Sequence, residues 1–313
     1  MQSVKIITSV APYVTVANAL QAVQLAHEDG FSGIELNEDH LHRLVQANPK
    51  YLITMREYGT DKHMINSLHK TLLRPSIDSE NRAERRQAVD YTLMTLDYME
   101  AAEIPRMVLH SFSDLPAFFT LHAERANKVG YFLGCHVVKM YGILAPALKA
   151  YRQMRKEKIE ACFMQSLTEI AKYAADKKVK GRSIEIVFEE HYSDAVDYDC
   201  ISYGRGSFIN VIRGVDTAHH LIRTGKNTDM SEILSSGPIH FHAVDTNGII
   251  DDHRTLGKGK VKFENSISDI IERKLTNTII IEDSTRNSAL ESKEMLTSTI
   301  KKLLNTRILN LEQ

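Results

Sequence analysis

The side chains best suited to chemistry lie within residues 240–263, which read HFHAVDTNGIIDDHRTLGKGKVKF. This segment places His242, Asp251 and His253 between an apolar run and a glycine-flanked turn. Imidazole and carboxylate groups without a nearby thiolate suit divalent zinc, manganese, iron or cobalt. The segment therefore indicates a metal site, although a solvated acidic loop with incidental histidines would have the same composition.

Several other segments end a short apolar run on a His, Asp or Glu. They are INSLH ending at His69, RMVLH ending at His110, IEIVFEE containing Glu189, VIRGVD ending at Asp216 and TIIIE ending at Glu282. His219 follows Asp216 by three residues. The carboxyl ends of strands in a parallel β/α fold converge on one face, where the chemistry takes place. We therefore expect these side chains to meet although they lie far apart in the sequence.

The alternation of apolar runs and amphipathic segments predicts the fold class. Eight candidate strands occupy residues 4–9, 33–36, 64–69, 107–110, 184–189, 210–216, 239–245 and 278–282. Strands that alternate with helices indicate an α/β fold with a parallel sheet. The 313 residues, 43% of them hydrophobic, suit a single (β/α)8 TIM-barrel domain over residues 1–313 with one helical insertion. A doubly wound open sheet is the alternative, but it would not gather all the strand ends around one point.

Helices are predicted between the strands from hydrophobic spacing and capping residues. Residues 15–28 and 159–175 carry apolar side chains at helical spacing, and residues 79–102 form a long amphipathic segment. Ser288 and Glu291 have the spacing of a capping box at the start of the last helix.

One region interrupts this alternation, after the fourth strand. It covers about residues 111–158, far more than the few residues that a strand-to-helix loop needs. The region is too apolar for a disordered linker, and its glycines and Pro146 would divide it into short helices. These helices are expected to pack beside the barrel mouth, as a lid, as a contact in a homo-oligomer or as additional packing.

Charge and cysteine content restrict the class of protein. The chain has 39 basic and 40 acidic residues, a net charge of −1, so its bulk charge does not indicate nucleic-acid binding. Cys135, Cys162 and Cys200 lack CxxC spacing, which argues against a disulfide framework and fits free thiols in a reducing cytosol. No run approaches the roughly 20 apolar residues of a membrane span, and the first residues fit a strand better than a signal peptide. We therefore expect a cytoplasmic protein with no membrane partner.

Short motifs along nearly the whole chain resemble those of the xylose isomerase-like TIM-barrel superfamily. They are GIEL at residues 33–36, SLH at 67–69, VLH at 108–110, FEE at 188–190, VDTAH at 215–219, HFHAVDTNG at 240–248, DDHRTLGKG at 251–259 and IIIED at 279–283. A single motif such as SLH carries little information, but the order of the motifs makes the resemblance specific for this fold. The superfamily contains sugar and sugar-phosphate isomerases and epimerases, and also AP endonucleases of the endonuclease IV type.

The isomerase and epimerase branch implies a site with one divalent ion, Mn, Co or Zn. Its four ligands would be Glu189, Asp216, His242 and Glu282. The ion would bind adjacent oxygens of a sugar or sugar phosphate and stabilise an enediolate, while Glu189 and Glu282 transfer the proton as general acid and base. Strand alternation lets only one of Glu189 and Glu190 face inward, and Glu189 is preferred because it directly follows the apolar run.

The endonuclease IV branch implies nine ligands around three zinc ions, and each ligand has a counterpart of the right residue type. The nine are His69, His110, Glu189, Asp216, His219, His242, Asp251, His253 and Glu282. Such a site would activate water to cleave a phosphoester of DNA. However, Glu189 is followed by Glu-His-Tyr-Ser and not by the Asn-Thr-Ala-Gly typical of these endonucleases. The isomerase or epimerase is therefore preferred, with the zinc phosphoesterase as the alternative.

Further residues near these motifs are predicted to bind the substrate. In the one-ion site, His69, His110 and His219 would contact substrate hydroxyl groups. Arg254 would contact an anionic substrate or pair with Asp251, and Lys258 would contact a phosphate group.

The remaining charged residues near the motifs are expected to have supporting roles. Asp245 would orient His242 or cap its loop, and Asp252 would face solvent. Glu35 would support His69 or take part in catalysis. The cations that DNA would need occur at Lys70, Arg74, Arg82, Arg85 and Arg86. The last three lie at helical spacing among acidic residues, which favours a solvated helix face.

Overall fold

A computed structural model of the chain describes residues 4–13, 19–62, 65–70, 76–110, 154–189, 210–227, 238–249 and 251–311. Eight parallel strands form a closed barrel. They are β1 (Lys5–Ser9), β2 (Ile34–Asn37), β3 (Ile65–His69), β4 (Arg106–Leu109), β5 (Glu185–Glu189), β6 (Val211–Asp216), β7 (Ile239–Ala243) and β8 (Thr278–Ile281). Each strand pairs with its neighbours along the chain, and β8 pairs with β1. The predicted (β/α)8 TIM barrel is confirmed, and the open sheet is excluded.

The strand ends differ from the predicted ones by one or two residues. The predicted strand at 239–245 ends at Ala243, because the chain turns there and Asp245 pairs with Arg254 in an isolated bridge. His110 and Glu282 each lie one residue beyond their strand, β4 and β8. They therefore project from the rim of the barrel at its carboxyl end.

Helices flank the barrel. They are α1 (Ala19–Glu28), α2 (Glu38–Ala47), α3 (Tyr51–Lys62), α4 (Arg82–Ala101), α5 (154–176), α6 (Thr217–Thr224), α7 (Phe263–Arg273) and α8 (Arg286–Leu311). The start of α4 was predicted at residue 79, but the helix begins at Arg82. Asn81 sets this start, because its side chain accepts hydrogen bonds from the backbone N–H groups of Ala83 and Glu84 and so caps the first turn.

The predicted capping box of Ser288 and Glu291 is wrong. Helix α8 begins at Arg286, three residues earlier than a cap at Ser288 would place it. At this start Thr285 and Ser288 cap each other. The Ser288 N–H donates to Thr285 Oγ1, and the Thr285 N–H donates to Ser288 Oγ, both at 3.2 Å. This is the reciprocal capping geometry, with Ser288 in the position that was assigned to Glu291.

The predicted insertion lies mostly outside the described residues. Residues 111–153 are not among them, whereas residues 154–158 already belong to α5, which was predicted to begin at residue 159. The helix buries Ile159, Phe163 and Leu167 at intervals of four residues against the barrel wall. Cys162 on the same helix is a free thiol, as predicted, while Cys135 and Cys200 lie outside the described residues.

Strand alternation divides the apolar side chains between two sides of the barrel wall. Phe241, Ile279 and Ile281 point outward and join the large apolar cluster shared with the helices. Val108, Val187 and Ile212 form a separate cluster inside the barrel. A fully buried side chain of this size contributes about 1.5–3 kcal/mol to stability. The polar residues at the ends of these inner rows, His110, Glu189 and Asp216, therefore lie above a small apolar cluster.

Within the described residues, no helix is both long enough and apolar enough to cross a membrane.

Candidate metal centre

Six of the predicted ligands lie at the carboxyl ends of six consecutive strands. They are His69, His110, Glu189, Asp216, His242 and Glu282. Five of the six are at most 7% exposed, and the side chain of His69 is 13% exposed. All six point inward because they continue the inner rows of their strands. The predicted convergence of these side chains is therefore present in the structure.

A first group of potential ligands combines Glu189, Asp216 and His242. Their ligand atoms lie within 4.8 Å of one another. Nδ1 of His242 lies 2.9 Å from Oε2 of Glu189 and 3.5 Å from Oε1 of Glu282. Glu282 thus borders the same space from β8. Three carboxylates and one imidazole form a donor set that suits a hard or borderline divalent ion.

A second group combines His69, His110 and Glu189, which again lie within 4.8 Å of one another. The Nε2 atoms of His69 and His110 are only 2.5 Å apart, closer than the usual distance of about 2.9 Å between hydrogen-bonded atoms. Nδ1 of His110 lies 3.1 Å from the backbone carbonyl of Glu189. If Nδ1 of His110 carries the ring proton and donates it to that carbonyl, then Nε2 has the lone pair, and this lone pair faces the site.

A third group lies beside the first and combines His219, Asp251 and His253. Oδ2 of Asp251 lies 3.1 Å from Nε2 of His219 and 3.2 Å from Nε2 of His253. Nδ1 of His219 lies 3.2 Å from Oε1 of Glu189, which links this group to the other two. All nine residues that sequence motifs suggested therefore lie in one connected cluster, with Glu189 shared among its parts.

Hydrogen bonding within the cluster is incomplete. Among the described residues, neither carboxylate oxygen of Glu189 has a hydrogen-bond partner of suitable geometry, and the same holds for Oδ2 of Asp216, Nδ1 of His242 and Oδ1 of Asp251. Buried polar atoms normally have partners, because leaving one without a partner costs about 1–3 kcal/mol. A divalent cation would satisfy these oxygen and nitrogen atoms together, so the donor set fits such an ion.

The pKa values of the groups in the cluster depend on burial and on the charges that lie beside each group. Burial raises the pKa of Glu189, but the charges of His242 and His110 outweigh it and hold the pKa well below the usual value. Burial raises the pKa of Asp216 to about 7, against the opposing charge of His219. Burial lowers the pKa of His110 to about 3, so this imidazole is neutral and has a lone pair available for a ligand. Asp216 retains its proton up to about pH 7, and a cation bound there would displace it.

Asp245 holds the loop that carries Asp251 and His253. Its Oδ2 accepts hydrogen bonds from the N–H groups of Gly257 and Gly259, at 2.9 and 2.8 Å. Its Oδ1 accepts hydrogen bonds from the two further N–H groups of Thr246 and Val261. Of the two supporting roles expected for Asp245, the structure shows loop capping.

The remaining charged residues of this loop pair with one another or with nearby helices. Arg254 pairs with Asp252 at 2.6 Å, rather than with Asp251. Asp252 is only about one-fifth exposed and also accepts from the N–H of Asn247, so it does not simply face solvent. Lys258 pairs with Glu291 on the surface of α8.

Sequence reasoning gave too little weight to two residues below the cluster. Glu35 on β2 and His240 on β7 are both buried and form a further potential ligand group with His242. His240 could have been found from the HFH pattern, because residues two apart on a strand face the same side. Glu35 stands in the GIEL motif, between two apolar residues that face outward.

Comparison with known proteins places the chain among barrels of one type. The sequence profile for xylose isomerase-like TIM barrels matches residues 23–303. No curated protein matches the sequence closely enough to count as a relative.

Three solved structures illustrate the structural similarity. A D-tagatose 3-epimerase-like protein superposes with a TM-score of 0.68 at 16% identity, covering 96% of this chain and 99% of that one. The IolI protein with a bound zinc atom gives a TM-score of 0.68 at 13% identity and the same two coverages. The 3-keto-D-glucoside 4-epimerase from E. coli gives 0.64 at 12% identity, covering 95% of this chain and 100% of that one. Identities this low establish the fold alone.

Proposed function

Because the chain belongs to the xylose isomerase-like TIM-barrel family, we propose that it is a divalent-metal-dependent isomerase or epimerase of a sugar. One observation carries the proposal. The carboxylates of Glu189 and Glu282 both approach Nδ1 of His242, at 2.9 and 3.5 Å, in a buried space at the carboxyl end of the barrel. Two carboxylates beside one ligand group can transfer a proton to and from a substrate held between them.

Four side chains would hold the ion of this site. They are Glu189, Asp216, His242 and Glu282. A divalent ion bound there would polarise the substrate carbonyl as a Lewis acid. Mn, Co and Zn all accept this mixture of carboxylate and imidazole ligands, and the zinc atom bound to the similar IolI protein supports zinc.

Glu189 and Glu282 would move the proton. The pKa of Glu189 is held well below its usual value, so this carboxylate is ionised at neutral pH and can accept a proton from the carbon beside the carbonyl. Burial raises the pKa of Glu282, but His242 and His69 outweigh it and lower the pKa, so this carboxylate would first take up a proton and then deliver it from its side of the site. Their burial keeps bulk water away from the proton while it is in transit.

The substrate is proposed to be a keto sugar without a phosphate group. His69, His110 and His219 would bind its hydroxyl groups where they do not bind metal. The phosphate contacts expected from the sequence, Arg254 and Lys258, are each paired with a carboxylate. The sugar epimerases among the similar structures support a sugar substrate.

The proposal is tested by incubating the protein with ketohexoses in D2O, with and without Mn, Co or Zn. An isomerase or epimerase incorporates deuterium at the carbon beside the carbonyl, and chelation abolishes the incorporation. Glu282→Gln should reduce the rate by at least about 100-fold, since general acid–base catalysis contributes at least that factor. Glu185→Gln is the matched control, because Glu185 lies at the opposite end of β5 and pairs with Arg106. Equal rates in Glu282→Gln and wild-type protein would contradict the assignment.

A zinc phosphoesterase is the second candidate, and the group of His219, Asp251 and His253 favours it. A one-ion isomerase does not need this group, whereas a site with three ions would use all nine residues. Two of the predicted DNA-binding cations argue against DNA as the substrate. Arg86 pairs with Glu169 of α5, and Lys70 is 3% exposed. Arg74 lies outside the described residues.

The number of bound ions separates the two candidates. Elemental analysis of protein purified without chelators should give about one ion per chain for the isomerase and about three for the phosphoesterase. With about three zinc ions, cleavage of abasic DNA is the next assay. Retention of no ion after reconstitution with zinc or manganese would contradict both candidates.

A further inference from the structure

Glu35 is a buried carboxylate one layer below the candidate metal centre. It lies on β2, is fully buried, and is surrounded by three histidines and one serine. Its Oε2 accepts a hydrogen bond from Ser67 Oγ at 2.5 Å and lies 3.0 Å from Nε2 of His240. Its Oε1 lies 3.1 Å from Nε2 of His242 and 3.6 Å from Nδ1 of His69. Glu35 therefore contacts two candidate ligands from the side that faces away from the centre.

The two ring nitrogens of His242 face different carboxylates. Nδ1 faces Glu189 and Glu282 in the centre, whereas Nε2 faces Glu35 below it. A neutral imidazole carries one proton, and the nitrogen that carries it cannot bind a metal ion. A carboxylate beside Nε2 stabilises the tautomer with the proton on that atom. The lone pair then stays on Nδ1, inside the centre.

The ring of His69 is divided in the same way. Its Nδ1 lies beside Glu35 and also 3.5 Å from Glu282, while its Nε2 meets Nε2 of His110 at 2.5 Å. Carboxylates next to Nδ1 favour the proton on that nitrogen and leave the lone pair on Nε2, beside His110, whether His69 binds the substrate or a second ion. Glu35 thus lies beside one ring nitrogen of His242, in the first group, and beside one ring nitrogen of His69, in the second group.

Ser67 and His240 hold the Glu35 carboxylate in place. Ser67 is two residues before His69 on β3, and His240 is two residues before His242 on β7. Each candidate ligand histidine therefore has, on its own strand, a polar neighbour on the same face that also contacts Glu35. A buried carboxylate is costly unless it is paired and hydrogen-bonded. Ser67 and His240 satisfy its Oε2, whereas Oε1 has the two candidate ligand histidines beside it and, within the described part of the chain, no hydrogen bond of suitable geometry.

We propose that Glu35 is a positioning residue that fixes the tautomer and ring orientation of His242 and His69, so that His242 offers its Nδ1 lone pair to the ion and His69 turns its Nε2 lone pair into the site. The inference rests on the proposed metal-dependent function. Glu35 could also act as a ligand, in a group with His240 and His242 or with His69 and Glu282, and the metal count described below distinguishes that role from positioning. Ser67 and His240 are then the residues that keep this carboxylate oriented.

The test measures metal affinity by competition between the protein and a chromophoric zinc chelator, together with the visible absorption spectrum of the Co-loaded protein. Glu35→Gln keeps the shape of the side chain but replaces one of its two acceptor oxygens with an NH2 group, so it can no longer accept on both sides. Loss of a supporting partner of this kind weakens metal affinity by about 10–100-fold. We expect that loss with an unchanged number of ions, together with a changed Co spectrum. Ser67→Ala, which keeps the carboxylate, should show a smaller loss.

Asp29→Asn is the matched control. Asp29 also has several partners, Tyr13 at 2.9 Å and Arg286 at 2.7 and 2.5 Å, but it precedes β2 and so lies at the amino end of the barrel. Its loss should lower stability and leave zinc affinity unchanged. If Glu35→Gln does not fold, Ser67→Ala decides, and an affinity equal to that of the wild type would then overturn the inference.

The possible outcomes separate this inference from the proposed function. Wild-type affinity in a folded Glu35→Gln variant overturns the inference alone. Loss of one whole equivalent of metal, with the remaining ions bound as before, overturns it as well, because Glu35 would then be a ligand. Failure of the wild-type protein to bind zinc or cobalt overturns the metal-dependent function and the inference together.

Discussion

Gly214 on β6 lies opposite Glu189 on β5 in the register of the barrel, and the two residues leave no room for a side chain between them. A Cβ atom on Gly214 would lie 2.8 Å from the Cβ of Glu189 and 2.9 Å from its Cα. Real Cβ atoms do not come this close to other heavy atoms, so Glu189 can occupy its position only because residue 214 is glycine. The position of Glu189, which is shared by the groups of the candidate metal centre, thus depends on a neighbour that has no side chain.

Gly214→Ala should displace Glu189 from the centre. Overpacking of a buried site costs about 1–3 kcal/mol of unfolding free energy, and the displaced carboxylate should lower zinc affinity and activity together. Denaturant unfolding and chelator competition would measure the two effects. Gly225→Ala is the control, since Gly225 has open space around it but a φ of +70°, which an alanine strains. It should lose stability and keep zinc affinity, and a Gly214→Ala variant that behaves in the same way would argue against displacement of Glu189.

His110→Ala should distinguish one ion from several. In the group with His69 and Glu189, His110 is a ligand, so its loss should remove about one ion per chain from a multinuclear centre and abolish phosphoester cleavage. In a one-ion isomerase the ion is held by other residues, and the variant should keep its ion while its apparent KM for the sugar rises. Elemental analysis and steady-state kinetics check the two outcomes. Loss of the single ion would show that His110 takes part in the primary site.

The metal-free protein should become less stable as the pH rises. Burial lowers the pKa of His253, but the charge of Asp251 outweighs it and raises the pKa from 6.5 to about 10. The stabilisation by this group is complete below pH 6.5 and is lost as the pH rises through about 10. Asp216, whose pKa is raised from 3.8 to about 7, acts in the same direction, because the folded state retains its proton longer than the unfolded state.

Bound zinc should increasingly stabilise the protein as the pH rises. An ion bound to His253 or Asp216 must displace a proton, so zinc binding strengthens as the pH rises. Melting temperatures of chelator-treated and zinc-loaded protein between pH 6 and pH 9 would show the difference. We expect the metal-free Tm to fall over this range and the gap between the two forms to widen. A gap that narrows with rising pH would mean that these residues are not ligands.

Asp245→Asn should loosen the loop that carries Asp251 and His253. Asparagine has one acceptor oxygen, so at least two of the four N–H groups that now donate to Asp245 lose their acceptor. Each buried donor left without a partner costs about 1–3 kcal/mol. Chemical denaturation should therefore show a loss of about 1–3 kcal/mol, and metal analysis a selective loss of any ion at Asp251. Asp252→Asn is the control, because Asp252 is partly exposed, and it should change stability by less than about 1 kcal/mol.

Much of the barrel could be predicted from the sequence, because strand identity and strand direction are local properties. The apolar runs ending at His69, Asp216 and Glu282 show where strands stop. The rule that parallel strands share a carboxyl edge then predicts that these residues meet. Helix starts were predicted less well. Asn81 and Thr285 cap their helices through hydrogen bonds that nearby residues of the same type could equally have made.

The sequence by itself determined the barrel, because alternation along each strand fixes which side chains point inward. The full set of nine candidate ligands was implied by the resemblance of its motifs, since His219 lies on a helix and Asp251 and His253 lie on a loop. Only the tertiary structure decided which residues from different strands come level with one another across the barrel. This depends on the stagger between strands, which is set when β8 pairs with β1. Closure of the barrel brings Glu35 under His69 and His242 and places Gly214 against Glu189. Neither contact can be predicted from a single segment of the sequence.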